Sequence, residues 1–397
     1  MTPAARYASA IDILDQIFDG ASAEKTLTNW ARKNRFAGSK DRAALRDIVF
    51  DCLRCKRSYQ HRAGQTGGRG VVLGHLLDND LKPQDIFCGE GYAPDTLSET
   101  EIGAICSTPS DDIATRYNIP DWILPELQNS LGEGLINNLV EMQSRAPIDL
   151  RVNVAKTNVD AMRDALLLDD LATTPVEGVK TALRLSKQTR KIPQTESYKN
   201  GLIELQDAGS QQVVLDLPLE HATSVLDYCA GGGGKSLAIA AMSPSLAIDA
   251  FDKHSNRLAD LINRAARAQA SVNVLEQDPV SLGKSYDLVV LDVPCSGTGA
   301  WRRNPDGKWK LTSQELDDII GTQSEILRNA PILVKSGGRI AYITCSLLDV
   351  ENSAQIAEFL VKNSEFTLEF ERKYHLTGAG DGFYLAVLKK VQNKGEF

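Results

Sequence analysis

The chain has 397 residues, 42% hydrophobic and 24% charged, with 44 Lys and Arg against 52 Asp and Glu for a net charge of −8. That length predicts two or three domains of roughly 150 residues, each able to bury a core, and the composition excludes collagen, low-complexity and wholly disordered chains. No apolar run reaches the roughly 18 residues of a spanning helix, the N-terminus is acidic where a secretory leader is apolar, and seven cysteines fit a reduced compartment. A cytoplasmic protein without a membrane anchor is expected.

In chain order, Ala4, Ala8, Ile11, Leu14, Ile17 and Phe18 recur at helical spacing. A second helix opens at Ser39 and sets Leu45, Ile48, Val49 and Leu53 against a face of Arg42, Arg46, Lys56 and Arg57. The glycines of 64–70 are expected to break the helical pattern, and an acidic, loop-rich stretch runs to residue 117. Residues 1–70 hold 13 Lys and Arg against 7 Asp and Glu, whereas 71–126 hold 2 against 11. A local basic face can therefore sit on an acidic protein, so net charge does not decide whether nucleic acid is a partner. The Arg42, Arg46, Arg54, Lys56, Arg57 run could grip RNA or be a solvated helix face. Cys52-x-x-Cys55 lies inside this amphipathic helix with no second pair, which argues against a metal.

From Pro120 short helices and strands alternate, with DLRVNV and ALRL as strands. Beyond Gly201 five apolar strands are expected at 224–230, 246–252, 272–278, 286–293 and 339–346, separated by helical crossovers. The pattern predicts a helical domain over 1–117, a small α+β module over 118–200, and a doubly wound, Rossmann-like α/β domain over 201–392 with a parallel sheet.

The first of those strands runs into Asp227-Tyr-Cys229-Ala230-Gly231-Gly232-Gly233-Gly234-Lys235-Ser236, directly before a helix. Glycines let backbone approach a ligand, and the helix start offers free N–H groups to it. A phosphate loop would need Gly where Cys229 stands, and a dinucleotide fingerprint would need Gly where Ser236 stands. S-adenosylmethionine is the third ligand of such turns, and a bare strand–helix turn is the plain alternative. The next strands end near Asp252, about 20 positions on, where ribose is bound in nucleoside-binding folds, then Asp278 and Asp292.

Strand four runs into Asp292-Val293-Pro294-Cys295-Ser296 and strand five into Thr344-Cys345-Ser346. In a parallel sheet both thiols reach the same carboxyl edge as the glycine turn. A single cysteine there would be an ordinary small core residue, but two in one crevice suit a nucleophile with an acid–base partner.

Asp227–Ser236, Asp292–Gly299 and Thr344–Ser346 resemble the motifs of the RNA cytosine-5 methyltransferases, and within them the Sun family. Gln206–Gln211, Trp301–Asp306 with Lys308-Trp309, and Asp381–Tyr384 add to the likeness. It is specific over 201–390, weaker at Pro120–Asn153, which is similar to the family's small RRM-like module, and weakest over 1–117, which looks like a NusB-like RNA-binding domain. Two departures are Gly231-Gly232 where the family usually has Ala-Pro, and Val293 where Ala is commoner.

The resemblance implies S-adenosylmethionine-dependent methylation of cytosine carbon 5 in RNA, of the ribosomal small subunit first, through a covalent cysteine adduct. It implies Cys345 as nucleophile, Cys295 for proton removal and release, and Asp292 with Lys235 at the pyrimidine edge. Cofactor contacts would come from Cys229, Ala230, Gly231 to Gly234, Lys235, Asp252, Arg257, Asp278 and Asp292. Trp301, Arg302, Arg303 and Lys308 form a basic, aromatic stretch suited to RNA. No metal is implied, and a monomer is expected. Transfer RNA as substrate, or a non-catalytic RNA-binding assembly factor on the same fold, are the alternatives. A nucleotide hydrolase is disfavoured by Cys229.

Overall fold

Five helices, α1 (Pro3–Phe18), α2 (Ala23–Lys33), α3 (Ser39–Arg54), α4 (Lys56–Ala63) and α5 (Gly67–Asp78), open a computed structural model that describes residues 1–187 and 189–391. Residue 392, the expected end of the third domain, lies outside the described residues. The helices belong to the first of two units, made of Met1–Gln128, Gly132–Arg145 and Trp301–Thr312. Its core gathers the apolar stripe of α1, with Leu14 and Ile17 buried beside Leu45, Val49 and Leu53 of α3. The glycine stretch of 64–70 ends α4 but does not stay irregular, because α5 starts within it. Gly74 shows why α5 tolerates its glycines: a Cβ there would lie 2.1 Å from the Tyr59 carbonyl oxygen, so the helix packs directly on the backbone of α4.

The second unit holds two sheets. In the smaller, β1 (Asp149–Val152), β2 (Thr173–Val176), β3 (Val179–Leu185) and β4 (Ile203–Leu205) pair antiparallel in the order β2-β3-β1-β4. Its fourth strand lies past residue 200, where the module was expected to end.

The larger sheet runs β10-β11-β9-β8-β5-β6-β7. Its strands are β5 (Ser224–Asp227), β6 (Ala247–Ala250), β7 (Asn273–Val274), β8 (Tyr286–Asp292), β9 (Val334–Thr344), β10 (Phe366–Tyr374) and β11 (Phe383–Lys390). β5 to β9 are parallel, as the alternation predicts, whereas β11 adds antiparallel to β9 and β10 to β11, so the sheet is mixed. Strand β8 carries the unbroken apolar run Leu288–Leu291 because both faces are covered: Val289 and Leu291 join one core with Tyr342 and Phe359, while Leu288 and Val290 join the other with Ile239 and Ile343. The strand order reverses between β5 and β8, so the crevice at their carboxyl ends is where such sheets bind ligands. No helix among the described residues is long and apolar enough to cross a membrane.

At the opposite edge Asp287 fastens three strands. One of its oxygens accepts from Thr223 N at 3.0 Å, Thr223 Oγ1 at 2.6 Å, and Ser224 N and Oγ at 2.9 Å, while the other pairs with Lys335 Nζ at 3.0 Å. Burial alone would raise its pKa, but the donors from Thr223, Lys335 and Ser224 hold it well below the ordinary 3.8. A carboxyl depressed in this way stabilises the fold above its unfolded pKa, and that contribution is lost as pH falls below it. Asp287→Asn is therefore expected to destabilise the protein by about 1–3 kcal/mol in urea unfolding at neutral pH. The gap from wild type should shrink below about pH 4; a gap that does not shrink would contradict this account.

Candidate active site

The turn between β5 and the helix Gly234–Met242 is folded back on itself. Gly231 and Gly233 have φ of +52° and +79°, and a Cβ on Gly233 would lie 2.1 Å from Leu261 Cδ1. The left-handed φ favours glycine there, and any Cβ would also have to displace the Leu261 side chain. Ala230 N donates to the Phe251 carbonyl at 2.9 Å and Gly231 N to Asp252 Oδ2 at 2.8 Å, which joins the turn to the end of β6. Asp252 is buried and lies 3.4 Å from the largely exposed Arg257. Asp278 stands four residues past the two-residue β7 rather than at a strand end, yet it accepts from Tyr228 Oη at 3.1 Å and so faces the same turn. Cys229 is half-buried, and burial pushes its thiol up.

The small sheet supports this turn from below, which the sequence did not reveal. Arg151 of β1, buried and pushed down to about 10 by burial, donates to the Gly234 carbonyl at 2.7 Å. The Gly232 carbonyl accepts from Arg264 at 2.5 Å. The only local hint was a charged residue at an inward position of DLRVNV.

Three charged groups follow the turn. Asp227 is buried; one oxygen accepts from Ser236 Oγ at 2.5 Å, and the other has no hydrogen-bond partner among the described residues. Burial, with a smaller push from Asp292, raises its pKa to about 6. Lys235 is buried too, 2.5 Å from Asp292 Oδ2 and 5.5 Å above the Phe383 ring. A buried acid with one unpartnered oxygen, a lysine–aspartate pair and a glycine cradle thus gather at the carboxyl ends of β5 and β8.

The thiols meet there: Cys295 Sγ and Cys345 Sγ are 3.3 Å apart, both half-buried. The loop after Cys295 is pinned to its neighbours, with Gly299 N donating to the Cys345 carbonyl at 2.9 Å and Gly382 N to the Gly299 carbonyl at 3.0 Å. That pairing brings Asp381–Tyr384 beside the cysteines. Glu351, passed over in the sequence, is buried next to both loops; its only signal was an acid shortly after Cys345.

The basic, aromatic stretch is placed differently from the expectation. Trp301–Thr312 belongs to the helical unit, and Trp301, Arg302 and Lys308 are buried in it. Lys308 Nζ donates to the Arg54 carbonyl at 3.0 Å, and burial pushes its pKa down to about 7. Arg302 reaches Glu141 at 3.4 Å, and its carbonyl accepts from Arg54. These three side chains are buried in the interior of that unit rather than exposed on its surface, and Arg303 is half-buried. The basic face of α3 and α4 is also engaged: Arg46 pairs with Glu24, Arg57 with Asp121, and Lys56 lies over Phe18. Among the described residues no cluster of His, Cys, Asp and Glu could hold a metal ion.

A doubly wound sheet extended by an antiparallel pair beside its last parallel strand is a methyltransferase fold. A methyltransferase homolog protein from Pyrococcus horikoshii shares it at a TM-score of 0.60 and 24% identity, over 70% of this chain and 97% of that one. Residues 213–391 match the family model of the 16S rRNA methyltransferase RsmB/F, and residues 119–191 match the ferredoxin-like domain of the same proteins. Ribosomal RNA small subunit methyltransferase B of Escherichia coli is 32% identical over 290 residues, 69% of this chain and 67% of the relative. A Synechocystis protein named probable ribosomal RNA small subunit methyltransferase B is 32% identical over 304 residues, 70% and 68%. The chain belongs to this RsmB/F family, as the Sun-type motifs led one to expect, and is an RNA methyltransferase.

Proposed function

We propose that this protein methylates carbon 5 of a cytosine in the RNA of the small ribosomal subunit, with S-adenosylmethionine as methyl donor and Cys345 as covalent nucleophile. The observation that carries the reading is the pair of thiols 3.3 Å apart at the end of β8 and β9, beside the glycine turn. A cofactor site is consistent with the residues present: the cradle of Gly231 to Gly234, Asp252 hydrogen-bonded to it, and the orphaned oxygen of Asp227. When bound, S-adenosylmethionine supplies an electrophilic methyl group.

Carbon 5 of cytosine is a poor nucleophile, and a thiolate adding at carbon 6 turns the ring into an enamine that can accept the methyl. Cys345 makes that bond. The carbon-5 proton must then leave and the carbon–sulfur bond must break, steps that need a second acid–base group within reach. Cys295 suits that part by position, its Sγ 3.3 Å from that of Cys345; as a thiolate, made more basic by its hydrogen bond with Cys345, its burial and nearby negative charge, it would take the carbon-5 proton. Asp292, held by Lys235, faces the crevice where the polar edge of the pyrimidine would lie. The target base has to leave its stack to reach these groups, which favours a loop or an opened stretch of RNA.

Nucleoside mass spectrometry tests the reading directly. Unmodified small-subunit RNA incubated with the protein and S-adenosylmethionine is expected to gain 5-methylcytosine. A product on transfer RNA alone would move the substrate, and cofactor binding with no methylated nucleoside on either RNA would leave a non-catalytic binder.

A further inference from the structure

Glu351 is a fully buried acid to which the chemistry above gives no part. It closes a short turn, Asp349–Glu351, after β9, and no Lys, Arg or His among the described residues ion-pairs with it. Its carboxylate is surrounded by donors. Oε1 accepts from Ser296 N at 2.8 Å and from Gln323 Nε2 at 3.1 Å; Oε2 accepts from Ser296 Oγ at 2.5 Å and from Ser346 Oγ. Ser296 follows Cys295 and Ser346 follows Cys345, so one carboxylate holds the residue next to each thiol. Gln323 also donates to the Pro294 carbonyl at 2.9 Å, on the other side of Cys295.

Glu351 is itself fixed. Its carbonyl accepts from Tyr342 Oη at 2.7 Å, and the adjacent Asn352 bonds Thr344 Oγ1 at 2.6 Å and the Ser346 carbonyl at 3.0 Å. A neutral amide could satisfy part of this donor set, whereas burying a carboxylate without a cation is costly, so a clasp that served structure alone would not need the charge. The titratable groups facing Cys295 are Cys345 and Tyr342 of the β9 segment and Glu351 of the turn after it. Cys345, through a hydrogen bond and then its charge, and burial raise the Cys295 thiol; Glu351 adds to the same direction.

We propose that Glu351 is the positioning residue of the two-thiol reaction: its carboxylate sets the separation of Cys295 and Cys345, and its charge decides which of them carries the proton. The assignment rests on the reading of the two thiols given above.

Glu351→Gln keeps size and one of the two acceptor oxygens but removes the charge. Its kcat, KM and cofactor affinity are compared with wild type, together with the pH dependence of Cys295 alkylation by iodoacetamide, read by peptide mass spectrometry without RNA. The variant is expected to lose about a hundredfold in kcat while KM for RNA stays within about twofold. The alkylation midpoint of Cys295 should fall by about one pH unit. A wild-type kcat or an unmoved midpoint overturns the assignment. If Glu351→Gln no longer binds cofactor and is misfolded, Ser346→Ala, which removes one arm of the clasp, is read in the same assays; a roughly tenfold loss of kcat at unchanged KM supports the assignment and a wild-type kcat overturns it. Failure of the wild-type enzyme to make 5-methylcytosine would instead sink the reaction itself, while the alkylation profile still reports on Glu351.

Discussion

The Cys295→Ala protein is expected to run on denaturing gels as a covalent complex with its RNA, whereas Cys345→Ala gives neither complex nor methylated product. If Cys345 adds to carbon 6, removing Cys295 leaves addition and methylation possible but stalls loss of the carbon-5 proton and expulsion of the thiol. The adduct then accumulates. With Cys345 gone nothing raises the nucleophilicity of carbon 5, and methyl transfer should fall by roughly 10⁴-fold or more with cofactor affinity retained. The asymmetry follows from the proposed roles: Cys345 makes the bond to carbon 6, and Cys295, 3.3 Å from it, takes the carbon-5 proton that must leave before Cys345 is expelled. The measurement uses end-labelled small-subunit RNA, with and without S-adenosylmethionine. An adduct on Cys345→Ala and none on Cys295→Ala would exchange the two roles.

The second large effect is expected at Lys235. Its ammonium lies 2.5 Å from Asp292 and lowers the pKa of Asp227, while burial and Asp292 raise it to about 6. Lys235→Met leaves two carboxylates facing one crevice with no cation between them. Methyl transfer should fall by about 10²–10³-fold, the scale of losing a fixed charge from a pre-organised site. A pH signature accompanies this. The folded pKa of Asp227 is raised, so its contribution to folding stability is full below the unfolded value of 3.8 and is lost as pH rises through about 6. Binding of a cationic cofactor runs the other way, since it needs the anion, so affinity for S-adenosylmethionine should rise through about pH 6 in the wild type. In Lys235→Met that midpoint should move up. Calorimetric titration across this range decides it: an affinity independent of pH in both proteins would remove Asp227 from cofactor binding.

Elements buried on both faces were legible in the sequence. Val225 and Leu226 of β5 and Leu288 to Leu291 of β8 form unbroken apolar runs because cores lie on either side. The glycine turn and both cysteines were visible for a chemical reason, each being a costly or reactive choice at a strand end. What escaped depends on partners distant in sequence. β10 has one exposed face and an edge position, so Phe366–Tyr374 reads as mixed polar chain until β11 pairs with it. Arg302 and Lys308 carry no local mark of burial; the Glu141 carboxylate and the Arg54 carbonyl to which they donate lie more than 150 positions away. Glu351 is likewise an ordinary loop acid until Ser296 and Ser346 are brought to it.

The discontinuity of the helical unit bears on how the chain is made. Its first 128 residues leave the ribosome early, but the segment Trp301–Thr312, whose Trp309 indole donates to the Leu53 carbonyl at 2.6 Å, is synthesised only after β5 to β8. Domains usually fold as they emerge, N-terminal first. Here the amino-terminal helices must wait, with the surface for this segment uncovered, until the strand leading into Cys295 has been made. Completion of the helical unit is thereby tied in time to the appearance of the Cys295 loop, a long-range closure of the kind that slows folding.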